Sequence, residues 1–183
     1  MSSSLRNCDS CTACCDGWLK IRIDGQEVRQ GKPCPHSCKT GCRIYANRPQ
    51  DPCVEFVCGW MTPDSPFPEW MKPDAAKVVV LYGCGTWRGL KVDLAVPVGR
   101  IIPQGSLNWL RNHASVNTRP LIWTENERKN GKYTGKQSVH VYGPPEFQQE
   151  VRELFVQHAG DAMGILRAIS LAPAIPPSRP HAA

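Results

Sequence analysis

Cysteine is the residue type in this chain whose spacing can do chemistry. Ten cysteines occur in 183 residues, and nine of them lie between Cys8 and Cys58. The first cluster reads Cys8-x2-Cys11-x2-Cys14-Cys15. The second reads Cys34-x3-Cys38-x3-Cys42, followed by Cys53-x4-Cys58. A Cys-x2-Cys pair chelates because a tight turn brings both sulfurs to one ion, and structural zinc takes four such ligands at roughly 2.3 Å. Three cysteines at x2 spacing plus a distant fourth also hold a four-iron cluster. The Cys8, Cys11, Cys14 run followed by Cys34-Pro35 has that arrangement in loose form. Soft thiolates favour zinc, cuprous copper or iron–sulfur over calcium or magnesium, and spacing alone does not choose among the three.

Adjacent Cys14 and Cys15 point in different directions in most backbone conformations, which suits two metals or a bridged site better than one ion. Nine thiols also exceed what a single four-ligand ion can use. Two metal sites, or one polynuclear cluster, would use eight of them. A disulfide framework and free thiols are the competing readings. Both rank below metal binding for clustered cysteines in a reducing compartment. That compartment is itself an expectation. The start, MSSSLRNCDS, carries no apolar run of a secretory signal, and no stretch approaches the roughly 18 apolar residues of a membrane span. The chain therefore reads as soluble and cytoplasmic.

A formal net charge of +6 is mild, and the Lys and Arg residues are dispersed without a basic run. A nucleic-acid partner is not expected on that basis, and a membrane is not expected from the lack of an apolar span. A metal ion is the partner implied, and no protein partner is specified. There is no Ser/His/Asp arrangement, no phosphate loop and no dinucleotide fingerprint. Gly83-Cys84-Gly85 lacks the third glycine at the needed spacing. Any catalysis would fall to the cysteine cluster itself, as an iron–sulfur redox or catalytic protein. A third class is a metal-stabilised interaction module that presents Trp18, Trp60 and Trp70 to a protein or nucleic-acid partner, the dispersed charge weighing against the nucleic acid.

The elements that position these residues fall into four stretches. Residues 1–62 form a small irregular cysteine-rich metal-binding module. A connector over 63–75, built on the Pro-rich stretch TPDSPFPEWMKPD from Thr62 to Asp74, precludes a regular helix and reads as a boundary or a stiff wrap. Residues 76–170 read as a small antiparallel sheet with helices, and 171–183 as a Pro/Ala-rich disordered tail. The class is α+β. Strands are expected at Val78–Tyr82, Leu90–Val96, Leu121–Thr124 and Ser138–Tyr142, the second alternating as a half-buried strand does. Gly83, Gly85 and Gly89 supply the turn between the first two, and Asn130-Gly131 is a strong turn dipeptide between the last two. Helices are expected from Ser106, as a cap, to His113, from Pro145 to His158 with a stop at Gly160, and over Asp161–Ser170. Phe147, Val151, Leu154 and Phe155 share the inner face of the second.

The stretches CDSCTACC and CPHSCKTGCRIYANRPQDPCVEFVCGW resemble the YkgJ-type CxxCxxCC cysteine-cluster family, a zinc- or iron-chelating domain. The resemblance covers about residues 8–60. It rests on the double cysteine, the Gly-Cys-x-Ile-Tyr-x-x-Arg-Pro stretch and the Phe-x-Cys ending. It implies eight ligands: Cys8, Cys11, Cys14, Cys15, Cys34, Cys42, Cys53 and Cys58. Cys38 is additional to the family pattern and, with His36, is a further candidate; structural zinc sites do include three cysteines and one histidine. The cofactor implied is zinc or iron, an iron–sulfur cluster included. The family also contains flagellin lysine-N-methylases, much larger proteins whose remaining sequence is not found here.

Around the family stretch, Ile44–Arg48 is expected as a short helical turn ended by Pro49, with Tyr45 and Arg48 on one face. Arg48 either donates to cluster sulfurs, as groups behind the ligands do, or pairs with Asp51 or Glu55. Phe56 and Trp60 are expected as core aromatics or as a cover over the cluster. Cys84 is expected to be a buried, unreactive thiol.

Overall fold

Three two-residue turns set the strand pairing. At Asp24-Gly25 (φ 48° and 76°), Arg88-Gly89 (47° and 83°) and Asn130-Gly131 (51° and 77°), both central residues adopt the left-handed conformation. Such turns match the right-handed twist of the strands they join, so each closes a tight antiparallel hairpin. The computed structural model describes residues 6–38, 40–158 and 161–171.

The first hairpin pairs β1 (Ile21–Ile23) with β2 (Gln26–Val28). Two very short strands, β3 (Ser37–Cys38) and β4 (Gly41–Cys42), form a second ribbon. The cysteine region otherwise consists of turns. Wide helical turns span Cys14–Trp18 and Gln50–Val54, and a 3-10 turn spans Tyr45–Asn47. The turn at Ile44–Arg48 is thus present, and Arg48 leaves it in an extended conformation before Pro49.

The connector is a packed wrap. Phe67 and Met71 are 2% and 1% exposed, a 3-10 turn spans Glu69–Met71, and α1 (Pro73–Ala76) begins on a proline. Proline is accepted there because the first helical N–H has no partner in the helix to lose.

The main sheet has the order β5 (Val78–Trp87), β6 (Leu90–Pro97), β7 (Leu121–Lys129), β8 (Lys132–Tyr142). The α+β class holds, with one departure from an antiparallel sheet: β6 and β7 are parallel. The crossover between them carries α2 (Gln104–Val116), and a crossover of this kind returns the chain to the same end of the sheet. Three sequence expectations are corrected. Gly83 and Gly85 lie within β5, where the pairing register shifts between Leu81 and Gly85, and only Gly89 is in the turn. β6 is buried continuously from Val92 to Pro97, Asp93 and Ala95 included, because it is an inner strand covered on both faces. Ser106 caps nothing; it lies inside α2, buried, and donates to the Ala76 carbonyl at 2.8 Å.

α3 (Pro145–Gln157) and α4 (Ala162–Leu171) complete the fold. Phe147 and Val151 are buried as expected and Leu154 packs against the core, whereas Phe155 is 37% exposed. The Gly160 stop and residues 172–183 of the expected tail lie outside the described residues, and Leu171, expected as the first residue of that tail, instead ends α4. One hydrophobic cluster runs through the molecule: Ala13, Leu19, Cys58 and Trp60 share it with Val79, Leu94, Ile122 and Ile165. A second, small cluster consists of Ile23, Val28 and Cys34, with Ile21, Cys15 and Cys53 packed against it. Among the described residues, no helix is long and apolar enough to cross a membrane.

Candidate metal centre

A chelating centre needs its sulfurs on backbone that turns sharply and is held from behind. Cys8 and Cys11 are joined by a turn, with the Cys11 N–H donating to the Cys8 carbonyl at 2.7 Å. The Cys14–Trp18 turn is closed by the Asp16 N–H on the Thr12 carbonyl and tied by two hydroxyls on the Asp16 carboxylate, Thr12 at 2.7 Å and Ser37 at 3.0 Å. Gly17 is required in it: φ is 87°, and an added Cβ would collide with the Arg29 carbonyl. The Cys34 N–H donates to the Cys15 carbonyl at 2.8 Å, which docks the second cysteine segment on the first. Cys58 is fixed to the sheet through its neighbour, the Gly59 N–H donating to the Val80 carbonyl at 2.7 Å.

These supports bring eight cysteines to one cavity of about 100 Å3: Cys8, Cys11, Cys14, Cys15, Cys34, Cys42, Cys53 and Cys58. They are the eight that the family resemblance implies. All are free thiols, so no disulfide competes for them. His36 also lines the cavity. Its backbone N–H faces the Cys34 sulfur at 3.4 Å, and its Nε2 lies 3.3 Å from an Asp24 carboxylate oxygen. Cys38 does not line the cavity; its thiol bonds the Gly41 carbonyl at 3.2 Å and contacts the Thr40 hydroxyl. Among the described residues, no three His, Cys, Asp or Glu donors already stand at ligating geometry around a point. The Cys8 sulfur instead lies 3.2 Å from that of Met61.

The electrostatics are those of protonated, crowded thiols. Burial, then the neighbouring Cys58 and Cys11, raise the Cys8 thiol; burial, then Cys58, Cys15, Cys11 and Cys8, hold Cys14 well above its ordinary value. Burial, then Cys34, Cys42 and Cys53, push Cys15 up to about 12. Cys53 is raised by burial, then by Cys34 and Cys42. At Cys11 and Cys58 burial also raises the thiol, and backbone N–H groups oppose it: those of Ala13 and Asp74 at Cys11, and those of Met61 and Trp60 at Cys58. Amide N–H groups aimed at sulfur stabilise a thiolate, the form a metal binds.

Two side-chain donors on the cavity wall, Arg48 Nε and Trp60 Nε1, are buried with no acceptor. A buried donor without a partner is costly, and thiolate sulfur would supply the missing acceptor. Eight soft donors, opposing amides and two orphaned N–H groups fit a thiolate-bound metal. Sequence reasoning missed Lys72, which also lines the cavity, 3.5 Å from the Asp9 carboxylate and over the Trp60 ring at 5.3 Å. It also missed the β1–β2 hairpin behind Cys15 and Cys34, although the Asp24-Gly25 dipeptide between Ile-Arg-Ile and Gln-Glu-Val carries the signal.

Several expectations change. Arg48 forms no ion pair with Asp51 or Glu55 among the described residues; it covers the Tyr45 ring instead. Trp60 is only 6% exposed and is not a presented contact, Trp18 packs edge-on against Tyr133, and Trp70 is 48% exposed. Cys84 is exposed, in the segment of β5 between Leu81 and Gly85 where the pairing register shifts. Its thiol is nonetheless pushed up to about 11, by loss of solvent around the sulfur and by the Asp93 carboxylate.

No family model matches the chain, and no curated protein or solved structure is significantly similar to it. The likeness to the CxxCxxCC family therefore rests on the quoted residues alone.

Proposed function

We propose that this protein chelates zinc or iron, an iron–sulfur cluster included, through thiolates of the N-terminal cysteine cluster, and that it does so in a reducing, cytoplasmic setting. The observation that supports this most is the single cavity lined by eight free cysteines. The residues that would hold the metal are Cys8, Cys11, Cys14, Cys15, Cys34, Cys42, Cys53 and Cys58, with Arg48 and Trp60 donating to their sulfurs. The bound metal would supply cross-linking of turns that carry little apolar core of their own, and binding of this kind contributes on the order of 10–16 kcal/mol to small modules. An iron–sulfur centre would add electron transfer at the same ligands.

Elemental analysis of protein purified anaerobically, with its visible spectrum, tests the proposal. Bound zinc in a colourless protein, or iron with a broad band near ~400 nm that bleaches on reduction, is the expected result. Protein that carries neither metal, and takes up neither when its thiols are reduced, would overturn it.

A further inference from the structure

From the division of the cysteine cavity between two packing clusters, we propose that the eight thiols make two separate four-sulfur centres, Cys8, Cys11, Cys14 and Cys58 in one and Cys15, Cys34, Cys42 and Cys53 in the other. This inference rests on the metal-binding reading above and deepens it.

Packing divides them first. Cys58 is buried in the main core, and Cys11 and Cys14 pack against that core. Cys8 joins them through its contact with Met61, which also packs on the main core. Cys34 is buried in the small cluster of the β1–β2 hairpin, and Cys15 and Cys53 pack against that cluster. Cys42 belongs with Cys34 through the backbone: Ser37, opposite Cys42 in the β3–β4 ribbon, donates its N–H to the Cys34 carbonyl at 3.0 Å.

The double cysteine is then the boundary. Cys14 goes to the main core and Cys15 to the hairpin, as neighbouring side chains on one turn must diverge. Each set holds four thiols, the number that closes a tetrahedral zinc site or a cubane cluster. Cys38, outside the cavity, is left over. Arg48 and Lys72 place positive charge beside the centres, each of which carries net negative charge when four thiolates hold one divalent ion.

The test loads reduced protein anaerobically with Zn(II) and measures bound zinc after removal of the excess. Wild type should hold two ions per chain. Cys42→Ser and Cys11→Ser, taken from opposite sets, should each hold half as much, and the double variant none. Cys84→Ser should match wild type. Using two variants from different sets guards against misfolding of either, and circular dichroism of the loaded proteins reports it. Loss of all zinc from either folded single variant, or a wild-type content other than two, would overturn the division while leaving metal binding intact. Wild type that binds no zinc or iron would overturn both.

Discussion

The guanidinium carbon of Arg48 stands 4.0 Å from the centre of the Tyr45 ring, while its Nε is buried against the cysteine cavity with no acceptor. The ring fixes where the guanidinium can point, because a cation over an aromatic face is attracted by the ring quadrupole. The charge of Arg48 acts on Cys8 and on Cys53, one from each proposed centre, in both cases opposing the rise caused by burial.

Arg48→Met keeps the length of the side chain and removes charge and donors together. Metal affinity should fall by about 10–100-fold, the usual cost of deleting a group that orients ligands from behind. Arg48→Lys should recover part of it, since lysine restores the charge without the planar fork. Competition against a chromogenic chelator reads both. Unchanged affinity in Arg48→Met would reduce the residue to a cover for Tyr45.

Stability of the sheet depends on a different pair. Asp93, 3% exposed in the inner strand β6, accepts two bonds from Arg119, from Nε at 3.0 Å and from an Nη at 2.6 Å, and a third from the Gly83 N–H at 2.6 Å. Breaking a buried pair from one side leaves an uncompensated charge, at a cost of about 3–5 kcal/mol. Arg119→Met should therefore lower unfolding stability by about 3 kcal/mol, and Asp93→Asn on that background should restore part of it. Urea denaturation of wild type, the single variant and the double variant measures this, and a double variant no more stable than Arg119→Met would contradict the account.

The contrast between the two regions shows what a sequence carries. Strand identity in the second region was legible because apolar β-branched runs and the Asn130-Gly131 turn are local signals. The parallel pairing of β6 and β7 was not, because it follows from where α2 lands, a non-local outcome. Asp93 illustrates the same limit: an aspartate in an alternating strand reads as solvent-facing, and only the arrival of Arg119 from 26 residues away makes its burial tolerable. In the cysteine region the spacing marked nine clustered cysteines, the family resemblance singled out eight of them, and those eight line one cavity. Their division between two apolar clusters was not, since it depends on the hairpin at Asp24-Gly25 packing beneath Cys15 and Cys34.

Gly17 links backbone strain to the centre. Its φ of 87° and its closeness to the Arg29 carbonyl leave no room for a side chain. Gly17→Ala must shift either the Arg29 backbone just after β2 or the turn that carries Cys14 and Cys15. Such substitutions at positive φ cost upwards of ~1 kcal/mol. The expected outcome is reduced metal content together with reduced stability, whereas Gly25→Ala, with open space around its Cβ, should lower stability through turn strain and leave metal content alone. Equal metal content in the two variants would show that the turn has slack.

The raised thiols give the metal-free protein a defined alkaline weakness. Well below pH 9 a buried thiol is protonated in both folded and unfolded chains and contributes no pH dependence. Above pH 9 the unfolded chain releases its proton while the folded protein, with Cys15 held up at about 12 and Cys14 also raised, keeps it. The unfolded state then binds fewer protons, so stability falls as pH rises through that window. Bound metal reverses the dependence, because ligation requires thiolates and releases protons, and affinity climbs with pH up to the same range. Urea midpoints of metal-free wild type and Cys15→Ser, compared at about pH 8 and about pH 10, isolate the effect from the lysines and tyrosines that titrate nearby. Wild type should lose more stability between the two conditions than Cys15→Ser. Equal losses would mean that Cys15 is not held protonated by its burial and by its neighbours Cys34, Cys42 and Cys53.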